Sequence, residues 1–166
     1  MKYREIIEII TSNCVDYFEQ EFKMEVISKK IYLKDIPSIQ LDYLTSIISV
    51  KGHLNSLFAF SYDERLINKL FEFFTEEIDI DESERDLYLE ESASEIMNII
   101  VGNATKFIEK SDSLLTLTPP IVFKEAKNLI NKKDSQYYNS VIATPHGNMN
   151  LFLIIQKENS KENDNG

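Results

Sequence analysis

From Lys2 to about Phe22, the apolar residues Ile6, Ile9, Ile10, Val15, Tyr17, Phe18 and Phe22 return at helical spacing among charged neighbours, which predicts a first helix. Met24 to Leu33 is rich in β-branched residues and free of glycine, and Pro37 follows soon after, so this stretch reads as a strand. Two more apolar runs, Tyr43 to Val50 and Leu54 to Tyr62, flank Lys51-Gly52-His53. Glycine there supplies the positive φ that a tight reversal needs, and the runs are expected to pair as a hairpin.

Asp63 is placed to cap a helix carrying Leu66, Ile67, Leu70, Phe71, Phe73 and Phe74. The acidic stretch Glu76 to Glu84 reads as a loop, with Ser83 as N-cap of the longest helix, which runs to about Lys110. Beyond the break at Pro119-Pro120, strands are expected over Ile121 to Ile130, Ser140 to Thr144 and Met149 to Gln156, the last two joined through Pro145-His146-Gly147-Asn148. Three helices and about six strands, grouped rather than alternating, predict an α+β sandwich with helices on one face of a largely antiparallel sheet. Such a domain would occupy residues 1–157, and the charged stretch 158–166, which holds no apolar residue, reads as a disordered tail.

The length of 166 residues suits one domain with a continuous core. A formal net charge of −10 repels a phosphate backbone, and no Lys/Arg run exceeds Lys29-Lys30 or Lys132-Lys133, so nucleic acid is excluded as a partner. Glu5 and Glu8 interrupt the first helical pattern, which therefore matches neither a signal peptide nor a membrane span; a cytoplasmic location is expected. The single Cys14 lies on an apolar stripe and reads as a small buried hydrophobe. His53 and His146 fall in turns with no ligand at metal spacing, so no metal or other cofactor is assigned to the chain.

The long helix holds the candidate chemistry. On a wheel of about 100° per residue, Ala93, Ile96, Met97, Ile100, Ala104, Phe107 and Ile108 gather into a core stripe. Glu91, Glu95, Asn98 and Gly102 gather nearly opposite it. Asparagine and glycine cost a helix interior about 0.5 and 1 kcal/mol relative to alanine, so this face is not built for helix stability. Ile99 adds an apolar contact at its edge, and the face suits docking. Polar residues on a solvated helix face need no function, however, and Glu-x-x-Asn recurs at Glu125-Asn128 and Glu162-Asn165.

Context separates the three copies. The run from Ser92 through Glu95, Asn98 and Gly102-Asn103-Ala104 resembles the signature helix of the CheX/CheC/FliY family of response-regulator phosphatases. The order of elements agrees over roughly residues 3 to 156, including the Thr118-Pro119-Pro120-Ile121-Val122 segment. A single helical copy of the motif is similar to CheX-like members, whereas CheC-like members usually carry two. Glu91 stands where the family often has Ser or Asp, and no glycine follows the prolines within Val122 to Glu125.

The resemblance implies a phosphatase acting on the aspartyl phosphate of a CheY-like chemotaxis regulator, with Glu95 pairing to the regulator's active-site lysine and Asn98 orienting the hydrolytic water. Mg²⁺ is then expected in the regulator. It also implies a homodimer, for which the apolar strands near Leu54 to Tyr62 or Leu151 to Ile155 are candidate sheet edges. The alternative is a non-catalytic adaptor of the same fold that binds a regulator or another signalling partner; a ligand-sensing domain would want a pocket of converging polar groups, for which the sequence offers no motif.

Overall fold

The structure, a computed structural model, describes residues 3–34, 38–109, 114–125, 128–130 and 136–155. Helix α1 spans Tyr3–Glu21, α2 Glu64–Thr75 and α3 Arg85–Ile108. The strands are β1 Ser28–Lys34, β2 Ser38–Gln40, β3 Leu44–Lys51, β4 Ser56–Tyr62, β5 Thr116–Leu117, β6 Ile121–Lys124, β7 Asn128–Ile130, β8 Gln136–Thr144 and β9 Gly147–Ile155. The main sheet runs in the order β1-β8-β9-β4-β3-β5, with β6 also on β3, and every pairing is antiparallel. A small second sheet pairs β2 with β7. This is the expected α+β architecture, with the three helices packed on one face.

Strand alternation explains the layering. Leu44, Ile48 and Val50 of β3, Phe58, Phe60 and Tyr62 of β4, and Met149, Leu151 and Leu153 of β9 face the helices and join Ile7, Ile10, Phe18, Leu66, Leu70, Ile96 and Ile100 in the main core. The intervening residues Ala59, Phe152 and Ile154, with Tyr137 of β8, form a second cluster on the other face, where Ile39 of β2 joins them. Cys14 is fully buried beside Met149, with sulfurs 3.7 Å apart, and burial pushes its thiol far above its ordinary pKa.

Several expectations are met locally. Gly52 takes φ +130° in the reversal between β3 and β4, and the Asp63 carboxylate accepts the Leu66 N–H at 2.8 Å as the α2 N-cap. Others are corrected. Ser83 does not cap α3: a 3₁₀ turn over Glu82–Glu84, capped by Asp81, runs into the helix, so the first amides are engaged before the α-helix begins. The expected strand from Met24 starts only at Ser28. The expected strand over Ile121 to Ile130 is two strands in different sheets, because the chain turns at Glu125, whose φ is +62°. Here the residue in a left-handed conformation is not glycine, and its N–H is held by the Tyr43 carbonyl at 2.8 Å.

Leu54 to Tyr62 and Leu151 to Ile155 cannot supply a free sheet edge. Strand β4 lies between β3 and β9, and β9 lies between β4 and β8. The edges among the described strands are β1 on one side and β5 with β6 on the other. Across the prolines, Thr118 maintains the pairing: its N–H reaches the Ser49 carbonyl and its hydroxyl accepts the Ser49 N–H, both at 3.0 Å. The tail 158–166 lies outside the described residues, as do Lys110 and Gln156, and no helix among those described is long and apolar enough to cross a membrane.

Candidate functional site

Buried positions on α3 repeat strictly by four, as Leu89, Ala93, Met97, Val101 and Thr105, and again as Ser92, Ile96, Ile100, Ala104 and Ile108. Each step of four overshoots a full turn by about 40°, so the buried stripe winds around the helix rather than running straight along it. The start of α3 is fixed to α2 and the sheet. A guanidinium nitrogen of Arg85 donates to Asn68 Oδ1 at 2.7 Å, the group itself lying over the Phe71 ring, and Lys124 pairs with Asp86 at 2.9 Å.

The winding corrects the wheel at one position. Phe107, expected in the core stripe, is 65% exposed, because by the last turn the cover has moved to the side of Thr105 and Ile108. The exposed surface follows the same rows: Glu91, Glu95, Ile99, Asn103 and Phe107 form one, and Ser94, Asn98, Gly102 and Lys106 the next. Sequence reasoning with a straight stripe therefore missed Phe107 and Asn103 as members of the outer face; the four-residue repeat was the signal that marks them.

Glu91, Glu95 and Asn98 are all exposed, Gly102 and Ile99 partly so. Glu95 and Asn98, three residues apart, point outward from adjacent rows with Cβ atoms about 5–6 Å apart. Neither side chain is engaged in a hydrogen bond or ion pair among the described residues. A Cβ built on Gly102 meets nothing within 4 Å, so no packing inside the chain requires glycine there. Of the other copies, Glu125 lies in a bend after β6 and Asn128 in β7, and Glu162-Asn165 lies outside the described residues.

Tyr17 of α1 approaches this face. Burial, with Glu21 and Glu95 as neighbouring carboxylates, pushes its phenol up to about 12, so it stays a neutral donor throughout the physiological range. Its ring meets Phe22 edge-on at 5.1 Å, and Phe22 meets Phe74 of α2 at 5.6 Å, which ties α1 to α2 beside one end of the face. Among the described residues, no group of three or more His, Cys, Asp or Glu side chains is placed to hold a metal ion. His146 lies in the two-residue turn between β8 and β9, and His53 in the bend after β3. A face with a free carboxylate, a free carboxamide and open space beside them suits docking onto a partner that brings its own reactive group.

The family model for chemotaxis phosphatase CheX matches residues 44–143. The chemotaxis protein CheX of Desulfovibrio desulfuricans superposes with a TM-score of 0.78 at 13% identity, covering 92% of this chain and 99% of that one. The CheX of Borrelia burgdorferi, in a complex described as CheX-CheY-BeF3-Mg, gives 0.71 at 21% identity, covering 90% and 96%. FliY of Thermotoga maritima gives 0.56 at 13% identity, covering 92% and 86%. Curated proteins gave no match.

Proposed function

The chain belongs to the CheX family of chemotaxis phosphatases, and from that premise we propose that it hydrolyses the aspartyl phosphate of a CheY-like response regulator through Glu95 and Asn98. The observation that carries this reading is that these two side chains stand exposed and unengaged about one helical turn apart, beside a glycine with open space above it.

The chemistry fits the groups. An aspartyl phosphate already has Mg²⁺ and a lysine beside it in its own regulator; hydrolysis chiefly lacks a water held in line with the scissile P–O bond. A carboxamide accepts from that water through its oxygen and donates to a phosphoryl oxygen through its nitrogen, without bringing negative charge to an anionic centre. Glu95 then pairs with the regulator's lysine and fixes the approach of the helix. The water's oxygen bonds to phosphorus, the aspartate leaves as a carboxylate, and no phosphoenzyme forms on this chain.

Initial rates against phosphorylated regulator separate the two roles. Glu95→Gln is expected to raise KM roughly ten-fold, about 1.4 kcal/mol, through lost docking, whereas Asn98→Ala lowers kcat. An unchanged KM in Glu95→Gln would remove the docking role.

Gly102 gives an independent check. Gly102→Ala should raise stability by about 1 kcal/mol, since the helix gains propensity and the new methyl meets nothing. Gly102→Trp should weaken binding to the regulator at least ten-fold, measured by titration calorimetry. Equal affinity for wild type and Gly102→Trp would mean that the regulator does not approach this face.

A further inference from the structure

Beside the motif, an open hollow of about 440 Å³ lies between the end of α2 and the first half of α3. Phe74 and Ile78 form one wall; Tyr88, Glu91 and Glu95 stand on the other. Ile78 is 51% exposed although it is a large aliphatic residue, and it is held in place by a turn in which its N–H donates to the Thr75 carbonyl at 3.0 Å. Phe74 is backed by Phe22, and Phe22 by Tyr17, so the apolar wall is braced from behind.

The polar groups of the hollow are unequal. The Thr75 and Ser92 hydroxyls each donate at 2.8 Å to a carbonyl of their own helix, those of Phe71 and Tyr88. The charged residues lining the hollow are both glutamates, and neither is in an ion pair among the described residues. A braced apolar wall facing two unpaired carboxylates is complementary to a protein segment that presents an apolar side chain next to a lysine or arginine.

Resting on the phosphatase reading, we propose that this hollow is a second docking site for the regulator, receiving an apolar residue flanked by a basic one from the regulator's surface while Glu95 and Asn98 engage its active site. Glu95 belongs to both surfaces, so the two contacts are continuous. The hollow would then select among regulators, because the active-site lysine and phosphate that meet Glu95 and Asn98 are common to all of them, whereas a neighbouring surface segment differs from one to the next.

The test uses the full chain and the cognate receiver, loaded with beryllofluoride and Mg²⁺ for binding and phosphorylated for kinetics. Ile78→Lys is expected to raise Kd and KM at least ten-fold, and Ile78→Ser several-fold, with kcat at saturating regulator within two-fold of wild type. Thermal unfolding should be unchanged in both, because Ile78 is half exposed. Unchanged Kd and KM in both variants would overturn the proposal, as would a Kd that holds while Ile78→Lys abolishes self-association in sedimentation, which would give the hollow to a second copy. If wild type fails to hasten phosphate loss, the phosphatase reading falls, and the Kd comparison still decides the hollow.

Discussion

Asn98→Ala is expected to lower kcat for regulator dephosphorylation by about 100-fold, the scale on which losing the alignment of a reacting group is felt, while the fold is kept or slightly strengthened. The second half of that expectation comes from position. Asn98 is exposed, is engaged in no hydrogen bond among the described residues, and lies mid-helix, where alanine is favoured over asparagine by about 0.5 kcal/mol. A loss of activity therefore cannot be blamed on unfolding. Asn98→Asp sharpens the result: it keeps size and shape but puts a negative charge beside the phosphoryl group and removes the donor, so it should be at least as damaging as alanine. Stopped-flow measurement of phosphate release, with a thermal melt of the same preparations, checks both halves. Activity of Asn98→Asp equal to wild type would show that the carboxamide's donor is not used.

The largest expected effect on stability lies far from the motif. Gly147→Ala should cost about 3 kcal/mol, combining overpacking, a strained φ and a lost helix cap. Gly147 has φ +129°, and a Cβ there would run directly into the carboxylate of Asp63. That carboxylate has no freedom to withdraw. One oxygen caps α2 through the Leu66 N–H at 2.8 Å, and the other accepts the Asn148 N–H at 2.6 Å, while the Asp63 N–H donates back to the Asn148 carbonyl at 3.1 Å. Asp63 thus joins the end of β4, the start of α2 and the β8–β9 turn. At this chain length about 3 kcal/mol corresponds to a melting temperature lower by roughly 9 °C. A drop of under 2 °C in calorimetry would mean that the turn moves aside and the Asp63 junction is not a fixed point of the fold.

Both predictions draw on features that differ in how far the sequence discloses them. The Asp63 cap and the Gly52 reversal are local: a short acceptor before a helical pattern and a glycine between two apolar runs act through their nearest neighbours. Glu95, Asn98 and Gly102 were likewise legible as one face, because a helix converts spacing into direction over a turn or two. Over five turns the same conversion fails, and Phe107 was assigned to the wrong side because what covers α3 changes along its length.

The order of strands within the sheet was not legible. Nothing in the apolar runs of β4 and β9 tells an interior strand from an edge, since the distinction lies in which distant strands pair with them. The break of Ile121 to Ile130 at Glu125 escaped notice for a related reason: a non-glycine residue takes the left-handed conformation there, held by a carbonyl more than eighty positions away in sequence, at Tyr43. The hollow beside the motif, formed where α2 and α3 meet, also exists only in the tertiary structure.

The central claim is tested most directly by following the decay of an aspartyl-phosphorylated chemotaxis receiver, with Mg²⁺ present, alone and with substoichiometric amounts of this chain. The expected result is faster decay with many turnovers per molecule of chain, abolished by Asn98→Ala. Decay at the receiver's own rate, despite demonstrable binding to it, would contradict the phosphatase assignment and identify the chain as an adaptor that docks without hastening hydrolysis.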